Sequence, residues 1–273
     1  MDLSIIIVNY RSKAKLINCL DSISLKSETD INFEIIVVDN NSGDNLDFLV
    51  SRYQNLKLVV SPRNLGMGGG NNIGINQASG EFILVLNPDT VINSSVVVIL
   101  MDYLKQHSEV GLVGPKLIYP NGSLQFSCMN LPSFFMPILR RTFLGDYFKE
   151  KRDHYMMQDF DHNSINSVGW LMGSCLMFRK KIILDSGEIF KPRFDDRYFM
   201  YFEDIDLARQ LWFRGKKIIY NPLATVIHDH QRQSAKYPWY LALVSDRLVW
   251  HHINSWLKYF IKWGFKYKQY VKN

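Results

Sequence analysis

The sequence predicts an α/β fold: a Rossmann-like, doubly wound and mostly parallel sheet, followed by a C-terminal helical extension. Short uninterrupted apolar runs at residues 3–8, 33–38 and 83–86 read as strands covered on both faces. Segments of helical spacing alternate with such runs through residue 118, as in a doubly wound sheet. After Asp246 the chain has no acidic residue but retains Arg247, Lys258, Lys262, Lys266, Lys268 and Lys272, which marks the end of the chain as a separate element.

Residues 3–8 form the first expected strand, residues 13–25 a helix, and residues 33–38 a second strand ending in Asp39-Asn40-Asn41-Ser42. Strand, helix, strand implies a right-handed crossover. A helix over 46–53 and a strand over 56–60 follow. Gly66, Gly68, Gly69 and Gly70 then form a turn opening a helix over 72–78. The fourth strand ends in Asn87-Pro88-Asp89, because proline has no N–H to continue the ladder. A helix over 96–106 and a strand over 110–118 complete the alternation. Periodicity weakens over 119–166, where loop and short helix are expected. Order returns at 169–178, with a helix over 207–214, a strand over 217–220 and an extended segment over 224–227. The expected organisation is one large domain over 1–235 and an extension over 236–273.

The chain has 273 residues, 47% hydrophobic and 21% charged, enough for a full core. It contains no run of about 18 apolar residues and no basic leader, so the expectation is a cytoplasmic protein without a spanning helix or signal peptide. Cys19, Cys128 and Cys175 lack disulfide or zinc spacing and are expected as reduced core thiols. The net charge of +6 is concentrated toward the tail rather than interleaved along a groove, which argues against a nucleic-acid partner.

Strand exits at Asn9-Tyr10, Asp39-Asn40 and Asn87-Pro88-Asp89 should align along one edge of the sheet, where open α/β sheets bind ligands. Asp39 could accept from the N3–H of a pyrimidine, and Tyr10 could stack on the base. The plainer alternatives are a turn former or helix cap for Asp39 and an Asx-Pro turn for Asn87 and Asp89. The glycine-rich stretch from Asn64 to Asn72 could bring backbone N–H groups to a diphosphate, or could be a flexible surface turn. Glu203, Asp204 and Asp206 open a helix, where acids cap and complement the dipole. Mutual repulsion would also raise a carboxyl pKa toward the range of a general base. Asp204 or Glu203 is then the candidate base and Asp206 the expected cap. His228 and His230 follow an extended segment and could reach a metal or phosphate, or could be structural.

Together these stretches resemble glycosyltransferase family 2 of the GT-A fold, and within it the rhamnosyltransferase-like group. The elements that carry the resemblance are Ile6 through Tyr10, Val37 through Ser42, Asn64-Leu65-Gly66 through Asn72-Ile73-Gly74, Leu86 through Asp89, Trp170 through Cys175, Glu203 through Leu207, and His228. The resemblance implies inverting transfer from a nucleotide diphosphate sugar with Mg²⁺ or Mn²⁺. Asn9, Tyr10, Asp39, Asn64, Gly66, Gly70, Asn72, Asn87 and Trp170 would hold the nucleotide sugar. Asp89 and His228 would hold the metal, and Asp204, with Glu203 beside it, would deprotonate the acceptor hydroxyl. Many relatives carry Asp where this chain has Asn87. Asn-Pro-Asp is frequent in the rhamnosyltransferase-like group, which suggests a dTDP-rhamnose donor; a UDP-sugar is the alternative. A saccharide acceptor, free or lipid-linked, in bacterial surface-polysaccharide synthesis is implied. A sugar nucleotidyltransferase or a silent nucleotide-sugar-binding protein are the rivals.

In the tail, Ile253, Trp256, Leu257, Phe260, Gly264 and Tyr267 recur at helical spacing opposite Ser255, Lys258, Lys262 and Lys266. Such a helix is expected at a membrane surface, with its lysines toward the head groups. Docking on the domain or on a second copy in a homo-oligomer is the alternative.

Overall fold

A computed structural model describes residues 1–23, 29–229 and 247–264. The strands β1 (Leu3–Asn9), β2 (Phe33–Asp39), β3 (Leu56–Val60) and β4 (Phe82–Leu86) lie in the order β3-β2-β1-β4, all parallel. The helices α1 (Lys13–Ser22), α2 (Phe48–Arg52) and α3 (Gly66–Gln77) connect them. Nearly every residue of β1, β2 and β4 is buried. That two-sided burial is why these strands read as continuous apolar runs instead of alternating ones.

Beyond β4 the sheet departs from the doubly wound pattern. After β5 (Thr90–Val91), α4 (Ser94–Gln106) and β6 (Val110–Ile118), the short strands β7 (Leu124–Gln125) and β8 (Cys128–Met129) lead into an insert of short helices. These are α5 (Met136–Arg141), α6 (Leu144–Tyr147) and α7 (Lys149–Met156). The chain returns through β9 (Asn166–Ser167) and β10 (Trp170–Leu171) to β11 (Cys175–Arg179), which slots between β4 and β6 antiparallel to both. An antiparallel strand with both faces covered is as apolar as its parallel neighbours, so its direction is not legible from composition.

The hairpin β12 (Ile182–Ile183) and β13 (Ile189–Phe190) precedes α8 (Glu203–Phe213) and β14 (Lys217–His228). β14 is one strand, parallel to β6, with a register irregularity between Asn221 and Thr225 where separate segments are expected from sequence. Helix α9 (Arg247–Trp263) closes the described chain. The expected boundary at 235/236, His230 and Tyr267 lie outside the described residues. Cys19, Cys128 and Cys175 are buried free thiols, as expected.

The structure corrects the expectation for the C-terminal helix. Lys262 Nζ reaches Asp195 Oδ2 at 2.7 Å and Asp206 Oδ2 at 2.8 Å, and Lys258 Nζ donates to the Arg197 carbonyl. These lysines grip the domain instead of facing a membrane. Trp263 Nε1 donates to Asp206 Oδ1 at 2.6 Å, Trp256 Nε1 to the Phe134 carbonyl, and Ser255 Oγ to the Met200 carbonyl. Asp206 is fully buried and also accepts from Tyr198 and Gln210, so it is the docking hub of α9 and not a helix cap. Sequence spacing cannot separate a solvated lysine from one that reaches a partner far along the chain. Among the described residues, no helix is long and apolar enough to cross a membrane.

Candidate active site

The parallel register brings the strand exits together. Asn9 lies directly opposite Asp39, and Ile7 opposite Leu86, so Asn87 and Asp89 leave β4 along the same edge. Asn9 is buried and donates to Ser42 Oγ at 3.1 Å and Asp44 Oδ2 at 2.9 Å, while its Oδ1 accepts from Ser12 Oγ. Its amide locks the β1 and β2 exit loops to each other. Asp39 accepts the Ser42 N–H at 3.0 Å, and Tyr10, the residue after Asn9, is 42% exposed.

The glycine-rich stretch is inside α3, not a turn ahead of it. Gly66 has φ +75°, and a Cβ there would strike the Phe199 carbonyl. A Cβ on Gly70 would come within 2.8 Å of Val8 Cγ1, so that glycine lets α3 sit close on β1. Asn64 Oδ1 accepts from Asn40 Nδ2 and the Gly66 N–H. Asn72 donates to the Phe194 carbonyl and Asp196 Oδ1, and accepts the Phe194 N–H. Both side chains hold the helix start and the 190s loop in place. Trp170 is 6% exposed and packs in the core beside the site.

Asp89 is half-buried, and His228 meets it because β14 runs antiparallel to β5 with His228 opposite Thr90. His228 Nε2 is 3.3 Å from Asp89 Oδ1, and Lys15 Nζ is 4.0 Å from Asp89 Oδ2. Burial pushes the Asp89 carboxyl upward, but the hydrogen bond and charge of His228 and the charge of Lys15 hold it below its ordinary value. His228 Nδ1 lies 2.7 Å from Gln125 Oε1. An amide oxygen only accepts, so Nδ1 is the donor in that contact. Lys15 also pairs with Asp229 Oδ2 at 2.9 Å. Gln125 and Lys15 escape sequence reasoning because a two-residue strand and a helix face carry no spacing signal.

A carboxylate oxygen and an imidazole nitrogen 3.3 Å apart fit a divalent ion that takes further oxygens from a ligand. Among the described residues, no group of three or more His, Cys, Asp or Glu side chains converges to enclose one. The neutral Asn87 leaves Asp89 as the carboxylate of Asn87-Pro88-Asp89.

The second centre begins α8. Tyr201 and Phe202 both adopt left-handed φ, +67° and +66°, turning the chain sharply into Glu203 and Asp204. Such backbone in aromatic residues is costly, and it gathers near functional sites. Asp204 Oδ1 accepts the Ile205 N–H at 2.8 Å and Oδ2 the Gly173 N–H at 3.1 Å. Burial raises the Asp204 pKa despite these bonds. Burial and then the charge of Asp204 raise that of Glu203, whose Oε2 is enclosed without a hydrogen-bond partner. Asp204 is therefore the member that ionises first, and Glu203 the one that keeps its proton.

The turn between β10 and β11 joins the two centres. The Ser174 carbonyl accepts the Asn87 N–H at 2.9 Å, and the adjacent Gly173 donates to Asp204. Asn87, two residues before Asp89, and the raised-pKa carboxylate of Asp204 are thus held by consecutive residues.

Residues 4–185 match the family profile described as Glycosyl transferase family 2. The chain belongs to that family. The matched span holds the strand exits and Trp170, whereas Asp204 and His228 lie beyond it. This family 2 glycosyltransferase is 29% identical over 268 residues to the N-acetylglucosaminyl-diphospho-decaprenol L-rhamnosyltransferase of Mycobacterium tuberculosis, covering 93% of this chain and 83% of the relative. It is 24% identical to the rhamnosyltransferase WbbL of Escherichia coli, over 82% of each chain. The fold is GT-A, as expected. Staphylococcus aureus TarS 1-349 in complex with UDP superposes with a TM-score of 0.56 at 19% identity, covering 83% of this chain and 60% of that one. The mannosyltransferase PcManGT of Pyrobaculum calidifontis, in complex with GDP-Man and Mn²⁺, gives 0.59 at 18% identity, covering 98% and 65%.

Proposed function

We propose that this protein is an inverting, metal-dependent rhamnosyltransferase. It moves L-rhamnose from dTDP-rhamnose to a lipid-linked saccharide acceptor during bacterial surface-polysaccharide synthesis. The observation that carries the reading is the pair of centres, Asp89 with His228 and Asp204 with Glu203, bridged by Gly173 and Ser174. The likeness to rhamnosyltransferases, one named for a decaprenol-linked substrate, supports the sugar and the acceptor class.

In this reading Asp39 and Tyr10 receive the thymine base. Asp89 and His228 hold the divalent ion, which when bound neutralises the charge of the leaving diphosphate. Asp204 takes the proton of the acceptor hydroxyl as its oxygen attacks the anomeric carbon, and the bond to the diphosphate oxygen breaks on the opposite face. Glu203, protonated beside it, limits the negative charge at this end of the site. The domain acts in the cytoplasm on the inner membrane face.

Thermal stabilisation by a panel of nucleotide sugars, with and without Mn²⁺, tests the donor, because a ligand stabilises according to its occupancy. The reading expects dTDP-rhamnose with Mn²⁺ to give the largest shift. A larger shift with a UDP-sugar, or shifts indifferent to Mn²⁺, refutes that donor or that metal dependence.

A further inference from the structure

The insert between β8 and β9 has two unlike faces. Its inner face supports the Asp204 end of the site. The Asn130 N–H donates to the Tyr155 carbonyl, the charge of Asp204 acts on the buried Tyr155, and the Phe134 carbonyl accepts from Trp256 of α9. Its outer face carries Phe135, Phe143 and Tyr147, which are 65%, 72% and 82% exposed, with Leu144 and Phe148 also on the surface. Between residues 131 and 145 the only charged side chains are Arg140, which lies over the buried Tyr155 ring, and Arg141; Lys149, Glu150 and Lys151 follow. Lys151 Nζ lies 5.4 Å from the Phe148 ring centroid, and the carboxylate of Asp146 is paired with Arg152 at 2.8 Å.

We propose that this outer face, residues 135–151, is a docking surface for an anionic lipid bilayer. Rings this exposed, interleaved with cations, match the depth at which aromatics sit among head groups while Arg and Lys meet phosphates. A two-fold contact with a second copy would bring Lys149 and Lys151 toward the same cations, whereas anionic head groups neutralise them. The face replaces the lysines of α9, which grip the domain, as the membrane contact. The proposal rests on the reading of a lipid-linked acceptor for its purpose: it puts the bilayer on the far side of the element that supports Asp204.

The test uses the full chain and vesicles of phosphatidylglycerol mixed with phosphatidylcholine, or of phosphatidylcholine alone, and follows cosedimentation at low salt. Variants are Phe143→Ser with Tyr147→Ser, and Lys149→Gln with Lys151→Gln; Ile183→Ser with Ile189→Ser in the β12–β13 hairpin is the control. The wild type is expected to sediment with the anionic vesicles and far less with the neutral ones. Each insert pair should weaken that partition by about 10-fold or more. The control should bind as the wild type does. Stabilisation by nucleotide diphosphate with Mn²⁺ should be unchanged in all, so a failure of the donor reading appears separately. Equal sedimentation of wild type and both insert pairs, no sedimentation of the wild type with anionic vesicles, or a change of molecular mass in solution as the effect of the insert substitutions, overturns the proposal.

Discussion

Asp89 and Asp204 are both half-buried aspartates in one site, yet their surroundings act on them in opposite directions. Asp89 ends a strand where a histidine and a lysine converge, and it is held ionised below its ordinary pKa. Asp204 opens a helix beside a second carboxyl group, and burial raises its pKa in spite of two backbone N–H bonds. A carboxylate that is to grip a cation should stay charged, whereas one that is to accept a proton needs proton affinity. The difference is what the proposed function requires of Asp89 on the donor side and Asp204 on the acceptor side.

The largest way to break this assignment is to remove the charge at Asp89. Asp89→Ala is expected to abolish both transfer and metal-dependent nucleotide binding while the Tm of the ligand-free protein stays near wild type; radiolabelled transfer and calorimetric titration read the two losses. Asp204→Asn should lower turnover by about 10²–10⁴-fold, the usual share of general base catalysis, with donor affinity kept. If Glu203→Gln produces that loss and Asp204→Asn stays active, the roles of the neighbours are reversed.

Gln125→Leu sharpens the donor side. It removes the acceptor that holds His228 Nδ1, and loss of such an orienting partner costs about 10–100-fold in metal affinity. Mn²⁺ titration monitored by nucleotide-dependent stabilisation measures it, and Gln125→Glu, which keeps an acceptor, should retain more affinity than Leu.

The smallest effect is in pH. Asp204 works ionised, and its raised pKa keeps the proton on to higher pH, so turnover should fall along an acidic limb that lies above the ordinary value of about 3.9. Glu203→Gln mimics the neutral acid and should leave that limb in place. The same substitution should raise Tm at pH 8 more than at pH 5. A carboxyl whose folded pKa is raised loses stabilisation as pH climbs from its unfolded value of about 4.3, and glutamine does not titrate. A Tm difference that is equal at the two pH values would show that Glu203 is ionised at both.

The doubly wound half of the fold was readable because its strands are buried on both faces and its exits end in Asn, Asp and Pro. Asp39, Asp89 and His228 fall on one sheet edge for that reason. The packing contacts of Asn64, Gly66, Gly70 and Asn72 were not, since a glycine that admits a strand and an asparagine that clamps a loop have the composition of a ligand-binding turn. The antiparallel β11 was hidden by its apolar run, and the lysines of α9 looked solvated because Asp195 and Asp206 lie more than fifty residues away in sequence. Long-range pairing of charges leaves no periodic trace, whereas two-sided burial does.

The most direct measurement compares Asp89→Asn and Asp204→Asn, titrating each with nucleotide diphosphate in the presence and absence of Mn²⁺ and following transfer in parallel. The account predicts that Asp89→Asn loses the Mn²⁺-dependent part of nucleotide affinity, while Asp204→Asn binds as tightly as wild type and fails only in turnover. Mn²⁺-dependent binding retained in Asp89→Asn and lost in Asp204→Asn would contradict it.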